Sequence, residues 1–363
     1  MNSNIEWALE METMFYFDRP DDTKLSANLL KKKYDIINNN NNEYMATQKW
    51  DGYWMMFVKG DSNNEIWVRG RNKNKAGYYE NYAVKVPHLV EEMYKWPNNT
   101  VVIGEICWPD LTRVATDVGI ILRCLPAKAV ERQQIKKLVV KAFDIIILDG
   151  ERCDHLGYYD RYNTLANFAS HFDTGSYFAL SQVAYDDFLG FADDIIRRGG
   201  EGCVIQRKDH PYEPGKRTAW QTLKLKQRLD SAKYKVVQFL EPRREYDGKC
   251  SDSWEYRIKH TLPVINEKGI PTGEYYEVEE LVTKPFYFGW KIGVTVELPN
   301  GKRTDVSSGM SDADREWLST DEAKNLLEQG KLYANVRAMQ EATLGGLRHP
   351  VFEGWEYDKD GQY

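Results

Sequence analysis

The sequence contains no Cys-x-x-Cys pair, no long apolar run and no excess of positive charge. Its 5 cysteines are scattered and none has histidines at the spacing of a zinc site, so we expect reduced thiols rather than a disulfide framework or a structural metal. No window approaches the roughly 20 apolar residues of a membrane-spanning helix. The opening segment Met1–Glu43 is acidic and mixed, which argues against a signal peptide. We therefore expect a protein of the cytoplasm.

The net charge of -6 argues by itself against a nucleic-acid partner, but the distribution of charge matters more than its total. A basic cluster extends from Arg207 to Arg228 and contains only Asp209 and Glu213 as acidic residues. Charge alone leaves open whether this cluster is a solvated face or a phosphate-binding surface. Its basic residues are Arg207, Lys208, Lys216, Arg217, Lys224, Lys226 and Arg228.

The first part of the chain alternates between predicted helices and buried strands. With 363 residues, 42% hydrophobic and 29% charged, the chain can form two ordinary soluble domains. Apolar residues at helical spacing predict a helix from Asp21 to about Ile36 and a second helix face from Val183 to Ile196, stopped by Gly199-Gly200. The predicted strands are Tyr53–Val58, Glu65–Arg69, Val101–Ile106, Leu138–Leu148, Cys203–Gln206 and Thr222–Lys226.

The pattern changes beyond Asp230, where short strands alternate with turns. This pattern predicts a small Greek-key barrel, interrupted around Thr261–Tyr287 by an insertion rich in Pro, Gly and Glu. We therefore place a domain boundary near residue 230, with one domain over 1–230 and a second over 231–363. The predicted strands of the second domain include Tyr234–Leu240, Val294–Leu298 and Ala334–Met339.

Lys49 stands in the turn Lys49-Trp50-Asp51-Gly52 and is the candidate nucleophile. A lysine attacks only after losing a proton, and its ordinary pKa is about 10.4. Lys224 and Lys226 alternate along one predicted strand, so their ammonium groups lie on one side of it. Such a pair could hold a phosphate and lower the pKa of Lys49. An exposed lysine in a β-turn is the simpler interpretation of this motif alone.

The order of the motifs resembles that of the covalent nucleotidyltransferases, which include ATP-dependent DNA ligases, RNA ligases and mRNA-capping enzymes. The segments Lys141–Gly150 and Pro214–Thr218 look specifically like the DNA-ligase versions, and Gly346–Phe352 resembles the tail of short bacteriophage DNA ligases. The resemblance extends from about residue 44 to the C-terminus. Its motifs, in order, are Lys49–Gly52, Arg71, Gly104-Glu105, Ala142–Asp144, Glu201–Ile205 and Lys224–Lys226.

This resemblance implies an α+β adenylation domain with antiparallel sheets and flanking helices, followed by an OB-fold β-barrel. It also implies an ATP-dependent DNA ligase that seals nicks between 5′-phosphate and 3′-hydroxyl ends through lysyl-AMP and DNA-adenylate. The implied cofactors are ATP and Mg²⁺, and the implied partner of a monomeric enzyme is nicked duplex DNA. DNA repair or replication, and a virus or bacteriophage as the source, are further expectations.

The same resemblance assigns expected roles to single residues. Lys49 would carry AMP, and Lys224 and Lys226 would act on the α-phosphate. Glu105 and Glu201 would bind metal, with Glu105 also suited to the ribose. The nucleotide site would further include Gln48, Arg71 and Phe143, whose ring would stack on adenine. Arg69, Arg207, Lys216 and Arg217 would contact the DNA backbone, with Arg69 an alternative to Arg71 because the strand register is uncertain by two.

Four positions depart from the family pattern. Thr47 replaces a glutamate that contacts the adenine amine, and Trp54 replaces an arginine. Gln206 replaces the lysine that closes the Glu-Gly-x-x-x-Lys strand. At the C-terminus only Asp358-Lys359 remains of an Arg-x-Asp-Lys motif, with Glu356 in place of arginine. The missing arginines leave a catalytically idle nick-binding module as one alternative. The resemblance to the wider superfamily leaves an RNA ligase or a capping guanylyltransferase as the alternative enzymes.

Overall fold

The chain forms two compact units, Met1–Gln227 and Arg228–Tyr363. The computed structural model describes residues 2–17, 22, 25–110, 115–170, 176–226, 231–248, 253–338, 340–341 and 345–357. The predicted boundary near residue 230 lies outside the described residues, and the functions assigned to the two domains remain predictions.

The first unit contains two sheets that are almost entirely antiparallel. Among the described residues, one sheet has the strand order β10-β9-β1-β8 and the other the order β3-β2-β4-β5-β6, with β7 parallel to β5. The strands are β1 (Tyr44–Lys49), β2 (Tyr53–Lys59), β3 (Ile66–Gly70), β4 (Thr100–Cys107), β5 (Val139–Leu148), β6 (Glu151–Arg152), β7 (Phe178–Leu180), β8 (Val183–Ala184), β9 (Gly202–Arg207) and β10 (Thr222–Lys226).

Helices cover the outer faces of these sheets because alternate strand residues are apolar. Leu223 and Leu225 of β10 pack with Phe188 and Ile195 of the helix Phe188–Arg197. Lys224 and Lys226, which alternate with these leucines, face the other side of the sheet. A larger cluster, centred on Phe57, fills the outer face of the second sheet. The helices are α1 (Ser3–Glu10), α2 (Ala27–Ile37), α3 (Pro87–Met93), α4 (Ala115–Leu122), α5 (Pro126–Arg132), α6 (Tyr158–Ala169) and α7 (Phe188–Arg197), with a 3-10 turn at Ala83–Lys85.

The second unit is built on an antiparallel sheet with the order β15-β14-β11-β16-β19. The Phe352 amide donates to the Ser308 carbonyl at 2.8 Å, which links β19, at one edge of the sheet, to the chain that follows β15 at the other edge. Its elements are β11 (Ala232–Leu240), β12 (Arg257–Ile265), β13 (Pro271–Leu281), α8 (Lys284–Phe288), β14 (Gly293–Glu297), β15 (Arg303–Val306), α9 (Asp312–Trp317), α10 (Asp321–Glu328), β16 (Leu332–Arg337), β17 (Gln340–Glu341), β18 (Leu347–Arg348) and β19 (Val351–Tyr357).

The α+β class predicted from the sequence is confirmed, but several local predictions differ from the structure. Val183 was placed on a helix face and instead lies in β8, paired with Thr47. The strand β1 was not predicted at all, although it carries Lys49. The expected insertion around Thr261–Tyr287 contains most of a long hairpin, β12–β13, which pairs with no other strand among the described residues.

Two expectations from the composition can be compared with the described part of the chain. None of its helices combines the length and the apolar character needed to cross a membrane. Cys107, Cys124, Cys153 and Cys203 are free thiols, and Cys250 lies outside the described residues.

Candidate active site

Lys49 ends β1 on the same row of the sheet as Gly202 of β9 and Lys226 of β10. Residues directly opposite each other share a face, and two strand spacings separate the two lysine backbones by about 10 Å. Gly202 has a φ of +123°, and a β-carbon there would lie 2.1 Å from the Leu225 carbonyl oxygen. Glycine therefore allows the close strand pairing and leaves the space between both lysines free of a side chain.

The turn after Lys49 packs closely against the second sheet. A β-carbon on Gly52 would lie 2.2 Å from the Ile106 carbonyl oxygen of β4, so only glycine fits this approach. The Asp51 carboxylate accepts a hydrogen bond from the Ala115 amide at 3.2 Å, which connects the turn to the start of α4. The Lys-x-Asp-Gly spacing thus places the lysine where the two sheets meet.

Lys49 is held by a carboxylate. Its Nζ lies 2.5 Å from an Oε atom of Glu201, and that glutamate side chain is only 6% exposed. Burial lowers the pKa of Lys49, but the charges of Glu201, Glu105 and Asp51 raise it more, so the net pKa is above its ordinary value. In this state the carboxylates outweigh any lowering of the pKa by Lys224 and Lys226, whose effect on Lys49 remains a prediction.

The second sheet contributes Glu105, which lies between Trp54 of β2 and Lys141 of β5. Burial is the main reason that the pKa of Glu105 rises to about 7; Lys49 and Arg71 oppose this shift, while other carboxylates reinforce it. Lys141 also lies over the Trp50 ring, with its Nζ 4.8 Å from the centroid. Glu105 thus lies near the Lys49–Gly52 turn, surrounded by charged side chains and aromatic rings.

The carboxylates beside Lys49 fit a magnesium ion in chemical type. Glu105 and Glu201 both offer hard oxygen atoms, and burial, which raises the pKa of Glu105, also makes a compensating cation favourable there. In the described part of the chain, no group of three or more His, Cys, Asp or Glu side chains could hold a metal ion. This is compatible with magnesium sites, which commonly use one or two carboxylates together with substrate phosphates.

Phe143 and Arg71 lie at the same junction but differ in exposure. Phe143 is 9% exposed and packs with Trp54 and Met14. Arg71 is exposed, and its guanidinium lies 6.0 Å from the Trp54 ring centroid and 5.9 Å from that of Phe15. The structure therefore brings both residues near the lysine-bearing face, while their contacts with a nucleotide remain a prediction.

Two other expected site residues lie elsewhere. Arg69 is fully buried; its Nε donates to the Leu9 carbonyl at 3.0 Å, and its Nη2 donates to the Met11 carbonyl. A guanidinium enclosed in this way supports the N-terminal segment and does not reach DNA. Gln48 follows the strand alternation and so lies on the sheet face opposite Lys49, towards α7.

The N-terminal segment Met11–Phe17, which the sequence analysis missed, crosses between the two sheets of the first unit. The Phe17 amide donates to the Thr222 hydroxyl at 2.7 Å, next to the two lysines of β10. The Phe15 ring lies 5.7 Å from the Arg217 guanidinium and also contacts Arg71. No nucleotide motif marks this segment; the signal that could have identified it is its run of Met, Phe and Tyr, which is typical of a buried stretch.

The predicted DNA contacts are partly neutralised by nearby carboxylates. Arg207 pairs with Asp209 at 2.8 Å, and Lys216 pairs with Glu213 at 3.2 Å. Arg217 is exposed and lies beside Phe15. Arg228, the last residue of the cluster, lies outside the described residues, as does the tail motif Asp358-Lys359.

Comparison with known proteins gives a family and a fold. A family model described as the ATP dependent DNA ligase domain matches residues 25–226. A Lig E DNA ligase structure has a TM-score of 0.56 and 17% identity, covering 87% of this chain and 93% of that chain. Structures named Pmar-Lig_PreS3 and Pmar-Lig_Pre have TM-scores of 0.60 and 0.57 with 18% and 17% identity. This chain covers 67% and 72% of those chains, with 95% and 92% of its own length. No curated protein sequence matches the chain.

Proposed function

This chain belongs to the ATP-dependent DNA ligase family, because the family model matches more than half of the chain's residues. We propose that the protein seals nicks in duplex DNA through AMP carried on Lys49. The observation that carries the proposal is the row formed by Lys49, Gly202 and Lys226, with Glu201 against the lysine. It combines a nucleophile, a cationic partner for phosphate and a carboxylate in one place.

The first step would form a phosphorus–nitrogen bond. Neutral Lys49 Nζ attacks the α-phosphorus of ATP, and the bond to the bridging oxygen breaks as pyrophosphate leaves with the electron pair. Lys49 must first lose a proton to solvent, and its ion pair with the Glu201 carboxylate, at 2.5 Å, opposes that loss. Lys224 and Lys226 would offset the negative charge of the α-phosphate.

The next two steps would transfer AMP and join the strands. An oxygen of the 5′-phosphate at the nick attacks the AMP phosphorus, and Lys49 leaves and regains a proton. The 3′-hydroxyl then attacks the 5′-phosphate, loses its proton and displaces AMP. Each step is an in-line displacement, so cationic groups must offset the charge on the phosphoryl oxygens.

Glu105 and Glu201 would hold Mg²⁺, which supplies positive charge to a phosphoryl group during displacement. Phe143 would stack on the base, and Arg71 would reach the ribose or the nick phosphate. Lys216 and Arg217 would contact the phosphate backbone without reading sequence. We propose that the enzyme acts on nicked duplex as a monomer.

Labelling with nucleotide tests this function directly. Protein incubated with α-labelled ATP should retain the label covalently, whereas γ-labelled ATP and α-labelled GTP should leave none. A chase with nicked duplex DNA should move the label to the 5′ end at the nick and then release it as AMP while the strand is joined. Transfer to nicked RNA alone, or stable labelling by GTP, would replace this proposal with an RNA ligase or a capping enzyme.

A further inference from the structure

Gln206 carries a buried amide that forms no hydrogen bond among the described residues. Its side chain is 1% exposed, and neither Oε1 nor Nε2 has a partner. Burying a polar group without a partner destabilises a protein, so such groups are rare in native structures. This glutamine also stands where the resembling family usually has lysine, so a neutral amide replaces a charge at this position.

The strand register places Gln206 on the lysine-bearing face of its sheet. Gln206 lies opposite Met45 of β1, and Thr47 lies opposite Val204. Thr47 and Gln206 are therefore diagonal neighbours on one face, at a distance of about 7 to 8 Å. Thr47 is 3% exposed, so both members of this pair are buried.

Tyr158 lies between this pair and the residue expected to stack on the base. Its hydroxyl donates to the Phe143 carbonyl at 2.9 Å; burial raises the pKa of Tyr158, and the nearby Thr47 hydroxyl opposes that shift. Tyr158 also packs with Met45, the residue opposite Gln206. Phe143, Tyr158, Thr47 and Gln206 thus lie along one side of the junction between the two sheets.

The diagonal neighbours Thr47 and Gln206 are both polar, and neither carries a charge. Thr47 and Gln206 replace a glutamate and a lysine of the family pattern, so both charges are absent together. A phosphate would require cations here, whereas a neutral amide suits a neutral edge that presents one donor and one acceptor. The edge of adenine has that form, and glutamine binds it through two hydrogen bonds.

We propose that Gln206 is a specificity-determining residue that binds the adenine edge of ATP, accepting from the 6-amino group and donating to a ring nitrogen. The inference rests on the proposed function, since it requires that ATP enters with its base against Phe143. Gln206 would thereby perform the recognition that, in the resembling family, a glutamate at the position of Thr47 performs.

The test compares ATP with purine riboside triphosphate, which lacks the 6-amino group, both labelled on the α-phosphate. The native protein should prefer ATP in the kcat/KM of self-labelling by about tenfold or more, because the buried amide loses a partner with the analogue. In Gln206→Met the KM for ATP should rise until the two nucleotides are used nearly equally.

Gln133→Met is the matched control. Gln133 is also a buried glutamine, but its amide donates to the Lys85 and Ala129 carbonyls away from the lysine turn. This variant should lose stability and keep the preference for ATP. A Gln206→Met protein that keeps the native ratio of the two nucleotides would overturn the proposal and assign Gln206 a structural role. Failure of the native protein to take label from either nucleotide would instead contradict the proposed ligase function.

Discussion

Lys49 and Glu201 form an ion pair in which Nζ and the carboxylate are 2.5 Å apart. The pair places the candidate nucleophile in its protonated form, because the surrounding carboxylates raise the pKa of Lys49 despite its burial. ATP binding must therefore do more than bring the α-phosphate close. It must also weaken the ion pair between Lys49 and Glu201. A cation bound by Glu105 and Glu201 would do so, because it would compete with Lys49 for the Glu201 carboxylate.

The first prediction concerns the nucleophile. Lys49→Ala should abolish covalent labelling by α-labelled ATP, because no other lysine occupies the Lys-x-Asp-Gly turn. The variant should still seal a nick that already carries 5′-AMP, since that step needs no lysyl adduct. Gel analysis of labelled protein and of strand joining measures the two steps separately, and undiminished labelling would remove Lys49 from its role.

The second prediction concerns DNA binding by the basic cluster. Replacing Lys216 and Arg217 with Ala should flatten the dependence of affinity for nicked duplex on salt by about 1 to 2 log units per log salt, at roughly 0.9 for each lost phosphate contact. Arg197 and Arg198, which pair with Asp194 at the end of α7, provide a control of equal charge. Equal slopes in the two double variants would identify the cluster as a solvated face.

The third prediction concerns the glycine between the two lysines. Gly202→Ala should lower the free energy of unfolding by roughly 2 kcal/mol or more, because a side chain is strained at its φ of +123° and meets the Leu225 carbonyl. Gly354→Ala is the control, since its β-carbon would meet nothing within 4 Å. Denaturant titration measures the free energy of unfolding of both variants. A similarly small loss in each would show that the pairing of β9 with β10 does not require glycine at position 202.

The fourth prediction concerns acid stability. The Thr218 hydroxyl, followed by Lys216 and His210, lowers the pKa of Glu213 to about 2 from an ordinary value of 4.5. A lowered pKa stabilises the folded state above pH 4.5 and loses that effect as the pH falls towards 2. Glu213→Gln should therefore be less stable than the native protein at pH 6, and the difference should shrink below pH 4.5. A difference that stays constant with pH would assign the effect to packing.

The fifth prediction concerns the C-terminal tail, which lies outside the described residues beyond Tyr357. Tyr357 itself stacks on Trp317 at 5.6 Å, so the informative truncation begins at Asp358 and leaves this contact in place. Removing residues 358–363 should slow lysyl-AMP formation more than sealing of a pre-adenylated nick, because Lys359 is the remaining cation of the motif that would orient pyrophosphate. Equal loss in both steps, or no loss in either, would rule this role out.

The sequence predicted best those elements whose residues alternate or repeat clearly. The strand Thr222–Lys226 has the predicted bounds, because Leu223 and Leu225 face a core while Lys224 and Lys226 face away. The strand β1 was missed because Tyr44–Lys49 is almost wholly buried on both faces and therefore shows no alternation. Its structure depends on pairing with β8 and β9, which are distant in sequence.

The sequence indicated which carboxylates lie near Lys49 but not the electrostatics of the candidate site. Motif order brought Lys49, Glu105 and Glu201 together, and the structure places them close in space. Which carboxylate holds Lys49, and on which side of it Lys226 lies, depends on register across β1, β9 and β10. The choice between Arg69 and Arg71 likewise depended on contacts of Arg69 with the carbonyls of Leu9 and Met11, some 60 positions away, which no local pattern encodes.

The segment Met11–Phe17 has a consequence for how the protein is made. The Phe17 amide binds the Thr222 hydroxyl across 205 positions of sequence, so during synthesis this segment must wait for nearly all of the rest of the first unit before its partner exists. Contacts this distant in sequence are slow to form, because a long loop must close before they stabilise anything. The junction between the two sheets is therefore completed only late in synthesis, and until then the nascent chain exposes the apolar surface that this segment covers.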